Sequence, residues 1–206
     1  MLIKSRRGFL TGVGVMALTL TAGHAFADDS SPTIYLTFDD GYVGTADKAR
    51  ALAALGINGT FFLTGQAIEW HAGDAELALS LGNRIANHTY DHTALTRLSA
   101  DQIVWEVQRC EQAANRVLGV STAPYLHAPY FADNATVRAI VRSIGFTSVG
   151  TNWDTADWSG TSASYIGNRI RAGIVTMHTQ GRNTIAALDA YVPDLLAQGY
   201  TFAVLS

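Results

Sequence analysis

The chain has almost no sulfur chemistry to offer and no surplus of positive charge. Cys110 is the only cysteine, which excludes an internal disulfide and any cluster of thiolate metal ligands. It falls in the apolar series Ile103, Val107, Cys110, Ala114 and Val117. That is the spacing of one buried helix face, so a packed thiol is expected there rather than a reactive one. Lys and Arg number 14 against 17 Asp and Glu, a net charge of −3, and without basic patches the chain lacks the footprint of a nucleic-acid binder. No Gly-x-Gly-x-x-Gly follows the first apolar run, which removes the dinucleotide-binding fingerprint. Repeats, low-complexity tracts and linkers are also missing, and 206 residues at 48% hydrophobic content suit one well-buried domain.

What is present begins with an address. Ser5-Arg6-Arg7-Gly8-Phe9-Leu10 places paired arginines ahead of an apolar segment, and Ala25-Phe26-Ala27 ends it as a small-x-small cleavage site. The expectation is export by the twin-arginine route, to the periplasm or beyond the cell. Residues 1–27 would be removed and 28–206 left as the mature domain. The apolar stretch from Gly12 to Gly23 is shorter than the about 20 residues a membrane span needs, so no stable membrane anchor is expected. Removing Lys4, Arg6 and Arg7 with the leader takes the net charge from −3 to −6.

After the leader, short apolar runs alternate with amphipathic stretches. Strands are predicted over 33–38, 60–64, 84–87, 125–128, 146–153, 174–178 and 201–205. Helices are predicted over 45–55, 75–81, 99–118, 134–144, 164–171 and 184–198. Over 99–118, Ser99 and Gln102 form a capping box and Gly119 supplies a stop. Alternating β and α units in one domain mean a parallel sheet with helices outside. About seven strands satisfy either an open doubly wound sheet or a closed barrel one strand short of eight. Both put chemistry at the C-terminal strand ends, where Asp39, Asp40, His127, Asp154 and His178 fall.

The densest signal is Thr37-Phe38-Asp39-Asp40-Gly41. Two adjacent carboxylates at a strand end repel each other unless a cation lies near them, and Gly41 permits the sharp turn that follows. His88-Thr89-Tyr90-Asp91-His92 sets two imidazoles at i and i+4, side by side if the segment is a helical turn. Alone that spacing is weak. With one carboxylate it makes a three-ligand site for a divalent transition metal. Trp153-Asp154-Thr155-Ala156-Asp157-Trp158 flanks acids with indoles, whose faces suit apolar sugar faces. Tyr42, Tyr90, Tyr130, Trp153 and Trp158 are candidates either to line a groove or to pack in the core. His71 belongs to no motif and reads as a surface residue.

In order, the stretches 37–41, 88–92, 127–130, 154–158 and 176–178 resemble the motifs of the polysaccharide deacetylases, the NodB-homology domain of carbohydrate esterase family four. The resemblance covers the chain from Thr33 to Ser206. It implies a distorted TIM-like (β/α) barrel of about seven parallel strands that removes acetyl groups from an N-acetylated glycan, such as chitin oligomers or peptidoglycan, or from O-acetylated xylan. A sugar-binding protein with weakened catalysis is the rival outside enzymes. The resemblance further implies that Asp40, His88 and His92 hold a divalent metal, zinc or cobalt among the options. Asp39 would be the general base and His178 the general acid, with Asp157 holding the His178 imidazolium. The backbone N–H of Tyr130 would face the oxyanion. Tyr90, Tyr130, Trp153 and Trp158 would contact substrate, and Thr89 would stiffen the histidine loop. A monomer is expected, with an acetylated glycan as its partner. The chain departs from the family pattern at His127, where an arginine normally pairs with the base. It departs also at Phe131 in place of glycine and at Thr176 in place of leucine. Histidine is a weaker, titratable substitute, which predicts a less firmly held Asp39 and activity more sensitive to mild acid.

Overall fold

The computed structural model describes residues 31–206; the leader expected over residues 1–27 lies outside the described residues. The elements run β1 (Thr33–Asp40), α1 (Thr45–Ala54), β2 (Thr60–Leu63), α2 (Gly65–Trp70), α3 (Ala72–Ser80), β3 (Arg84–Asn87), α4 (Ala100–Leu118), β4 (Tyr125–Leu126), α5 (Ala135–Ser143), β5 (Thr147–Ser148), β6 (Trp153–Asp154), α6 (Ala163–Gly167), β7 (Gly173–His178), α7 (Thr184–Ala197) and β8 (Thr201–Phe202). Neighbouring strands lie in the order β5-β4-β3-β2-β1-β7-β6, all parallel. β8 adds to the start of β1, Thr33 opposite Thr201. The centre is β1, whose Ile34, Leu36 and Phe38 are fully buried and whose Phe38 ring stacks on Phe61 of β2 at 4.9 Å.

One expected strand divides. The apolar run 146–153 becomes β5 at one edge of the sheet and β6 at the other. Only five Cα steps separate Ser148 from Trp153, a reach of at most about 18 Å. The two edges are therefore drawn toward each other and the sheet curls into the distorted barrel. This answers the choice that periodicity left open. Gly150 and Thr151 sit mid-run and pair with no neighbouring strand.

The helices follow their local signals. α4 carries the Ser99–Gln102 capping box and ends on Gly119 at φ 69°, with Ile103, Val107, Cys110 and Ala114 buried. Asn134 caps α5 by accepting from the Val137 N–H. α2 was not expected: six residues are too few for periodicity to register, and it forms because the Thr64 hydroxyl accepts the Ala67 N–H while Ala67 and Ile68 bury their side chains. α3 begins ahead of the predicted start, so Asp74 lies in its first turn and exposed His71 precedes it. No helix among the described residues is long and apolar enough to cross a membrane.

Candidate active site

The C-terminal ends of β1, β3, β4, β6 and β7 meet around a cavity of about 530 Å³ lined by Asp39, Asp40, His88, His92, His127, Ala128, Tyr130, Phe131, Asp154, Trp158, His178 and Gln180. The turn that leaves β1 is tight. Asp40 has φ 80° and Gly41 φ 96°, and a Cβ on Gly41 would press on Leu63 at 2.7 Å. The glycine is therefore needed both for its conformation and for its lack of a side chain.

His88 and His92 do not share a helical turn. The segment after β3 is an irregular loop in which Thr89 and His92 both have positive φ, 65° and 67°. Convergence comes instead from hydrogen bonds. The Thr89 hydroxyl accepts the His92 N–H at 3.2 Å. The Asn87 side chain accepts the Thr89 N–H at 2.9 Å. Buried Glu106, projecting from α4, accepts the N–H groups of Tyr90 and Asp91 at 2.9 and 3.1 Å. A carboxylate on the buried face of an amphipathic helix, one residue before Val107, was the sequence signal for it.

Asp40 Oδ1 lies 3.5 Å from His88 Nε2 and 3.0 Å from His92 Nε2. The other imidazole nitrogens are committed elsewhere: His88 Nδ1 to the His127 carbonyl at 2.7 Å, and His92 Nδ1 to the Tyr130 hydroxyl at 3.1 Å. A histidine whose Nδ1–H is given to a carbonyl presents a bare Nε2, the tautomer a metal requires. One carboxylate and two imidazoles that converge in this way fit a divalent transition metal. Asp39, His88 and His127 also lie close together, but the Asp39–His127 contact described next commits two of those groups to each other. Burial alone would raise the Asp40 pKa; the His88 and His92 imidazoles facing it, with the Gln180 amide, outweigh that and hold the group well below the usual carboxylate range.

Beside this cluster, Asp39 Oδ2 is 2.8 Å from His127 Nδ1, and Asp39 Oδ1 is buried without a partner. Burial opposes ionisation of both, yet the pair's mutual attraction lowers the Asp39 pKa and raises that of His127. His127 therefore stands where the resemblance expects arginine, and it pairs with the same aspartate. Phe131 lies edge-on to it at 5.3 Å, with a φ of 53° that glycine adopts more readily.

His178 sits opposite Asp39 in the β1–β7 register. Its Nδ1 is 2.9 Å from Asp157 Oδ1, while Asp157 Oδ2 accepts the His178 N–H at 3.1 Å and the Thr184 hydroxyl at 2.5 Å. Burial works against the imidazolium, but the Asp157 bond and the Asp39 charge prevail and push the His178 pKa up to about 9.

Two expected substrate contacts are not in the cavity. Tyr90 is buried against Gly65, its hydroxyl bonded to Glu69 and Arg109 and its ring under the Arg109 guanidinium; the positive φ of Thr89 turns it inward. Trp153 and Asp154 point to opposite faces of β6, so Asp154 lines the cavity while Trp153 packs outside near Arg171 and gives its Nε1–H to Ala172. Tyr130 and Trp158 do line it, and both are exposed. Gln180, which no motif announced, reaches Asp40 Oδ2 at 2.5 Å.

Among the described residues, the cavity wall is lined by no serine, threonine, cysteine or lysine that could attack a substrate. With a cation-ready cluster, a free carboxylate oxygen and a protonated imidazole, the site defines a hydrolase that activates water rather than a side chain. Residues 27–149 match the polysaccharide deacetylase family, and the chain belongs to it: a carbohydrate deacetylase, a hydrolase. It is 31% identical over 180 residues to the peptidoglycan-N-acetylmuramic acid deacetylase PdaA of Bacillus subtilis, covering 82% of this chain and 68% of that protein. It is 28% identical to the peptidoglycan-N-acetylglucosamine deacetylase PgdA of Listeria monocytogenes, covering 84% of this chain but 38% of that protein. The family 4 carbohydrate esterase of Streptomyces lividans, solved with acetate, superposes with a TM-score of 0.79 at 29% identity, covering 85% of this chain and 93% of the other.

Proposed function

We propose that the chain is an exported, metal-dependent deacetylase that hydrolyses the N-acetyl group of an amino-sugar glycan of the peptidoglycan or chitin type. The observation that carries this reading is Asp40 Oδ1, buried without a hydrogen-bond partner between two imidazole Nε2 atoms. Asp40, His88 and His92 would hold the ion, with zinc the first choice and cobalt the next. Such an ion supplies Lewis acidity, which makes water a better nucleophile and polarises the acetyl carbonyl.

The chain's own groups divide the proton work. Asp39 Oδ2 is occupied by His127, so Oδ1 takes the proton from the attacking water. The water oxygen forms the new bond to the acetyl carbon, and the Tyr130 N–H is offered to the developing oxyanion. The His178 Nδ1–H is given to Asp157, which leaves Nε2–H to protonate the sugar nitrogen as the C–N bond breaks. Acetate and a free amine result. General base and general acid are each worth typically 10²–10⁴-fold. Trp158 and Tyr130, exposed at the rim, are suited to stacking on sugar faces. Export rests on the paired arginines and cleavage site of residues 5–27.

The test is acetate release from peptidoglycan fragments, chitooligosaccharides and acetylated xylan, with zinc, cobalt and chelator compared. Release from N-acetylated glycans, abolished by chelator and restored by metal, is expected. Release from xylan alone would make the chain an O-acetyl esterase, and glycan binding with no acetate at saturating metal would make it a sugar-binding protein. Replacing Arg6 and Arg7 by lysine is expected to hold the chain inside the cell.

A further inference from the structure

The Asp40 carboxylate has two oxygens in different surroundings. Oδ1 faces His88 and His92 and has no hydrogen-bond partner. Oδ2 accepts from Gln180 Nε2 at 2.5 Å. The Gln180 amide is itself oriented, because the Thr179 hydroxyl donates to Gln180 Oε1 at 3.3 Å while accepting the Gly41 N–H at 3.0 Å. A flipped amide would set its oxygen against the carboxylate and its nitrogen against the hydroxyl hydrogen, so the network selects one orientation. A short chain of bonds thus runs from Gly41 through Thr179 and Gln180 back to Asp40 and ties the end of β1 to the end of β7.

We propose that Gln180 is a positioning residue that reserves Asp40 Oδ2, so that Asp40 serves a bound cation through Oδ1 alone. The inference rests on the reading of Asp40, His88 and His92 as the ligand set. A single-oxygen carboxylate with two imidazoles leaves more of the coordination sphere for water and the acetyl oxygen than a two-oxygen carboxylate does. Removing the amide frees Oδ2 to swing toward the cation and compete for that space. Outer partners of metal ligands typically change metal affinity or activity by 10–100-fold. Gln180 is exposed at the rim, which places the expected effect near the lower end, about tenfold.

The experiment compares the full chain with Gln180→Met, which keeps the stem and removes the amide, Gln180→Glu, which sets a second charge against Asp40, and Asp40→Ala. Each is titrated with Co²⁺ against a chromophoric chelator, and the visible spectrum of bound cobalt is recorded. A changed cobalt spectrum in Gln180→Met with Co²⁺ affinity shifted about tenfold, and loss of binding in Asp40→Ala, is the expected result. Wild-type affinity and spectrum in both Gln180 variants, with binding lost in Asp40→Ala, would overturn the role of Gln180 and leave the ligand set standing. Retention of Co²⁺ by Asp40→Ala would overturn the ligand set and the inference with it. Thermal melts of each variant in chelator separate a misfolded chain from a misplaced carboxylate.

Discussion

Asp39 and His127 show how a substitution that looks weaker in sequence can be sound in place. Histidine titrates where arginine does not, which suggested an Asp39 easily lost to mild acid. The contact argues the other way, because attraction across 2.8 Å lowers the Asp39 pKa and raises that of His127. As pH falls, His127 keeps its proton and Asp39 stays ionised. His127→Arg is therefore expected to leave the acid limb of the kcat/KM profile in place, and His127→Gln, which removes the cation, to move it to higher pH. On the proposed roles, the alkaline limb is expected to follow His178, whose pKa is pushed up to about 9. Gly181 matters for a different reason. A Cβ there would overlap the Asp157 carboxylate and the Thr184 hydroxyl. Gly181→Ala is expected to cost about 1–3 kcal/mol of stability, the usual range for overpacking, and to lower kcat by displacing the support of His178. Denaturant unfolding and steady-state kinetics on the same preparation check both.

Among the elements, the loop after β3 and helix α4 act together. The loop holds two non-glycine residues at positive φ, conformations that persist only where surrounding contacts over-determine them. Glu106 is such a contact, taking two consecutive N–H groups between the histidines. Glu106→Ala leaves the buried Tyr90 N–H unsatisfied, at a cost of about 1–3 kcal/mol, and loosens both imidazoles. The expected outcome is weaker metal binding by about 10–100-fold, measured by chelator competition, with a smaller loss for Glu106→Gln, whose amide oxygen can still accept. α4 also shows what was legible in advance: its cap, its stop and its apolar face were all present as local signals, and Cys110 is buried with its thiol pushed up to about 12. The histidine loop was not legible, because His-x3-His spacing looks helical whether or not a helix forms.

For the molecule as a whole, two conditions should move the stability of the fold. A ligand that binds only the folded chain stabilises it by about 2.7 kcal/mol at a hundred times its Kd. Chelation is therefore expected to lower Tm, and added zinc to restore it in a concentration-dependent way. The second condition is pH. The raised pKa of His178 means that its bond to Asp157 stabilises the fold fully below about pH 6.5, the ordinary histidine value, and that this contribution fades as pH rises through about 9. The Tm difference between the wild type and Asp157→Asn should accordingly shrink between pH 7 and 10.

The alternation of apolar runs and amphipathic helices was enough to state a parallel sheet with helices outside, and the Asp-Asp-Gly and His-x3-His stretches, through the family resemblance they carry, were enough to single out Asp40, His88 and His92, which the fold gathers into a cluster that could hold a metal. Long-range contact settled the rest. The run 146–153 read as one strand until the sheet's two edges claimed its two ends. Tyr90 and Trp153 carried the right ring chemistry but faced elsewhere, since which way a ring points depends on the φ of its neighbour and the pleat of its strand. Gln180 and Glu106 lie 140 and 15–16 residues from the groups they hold. No motif announces such partners, because their roles arise only once distant backbone segments have packed side by side.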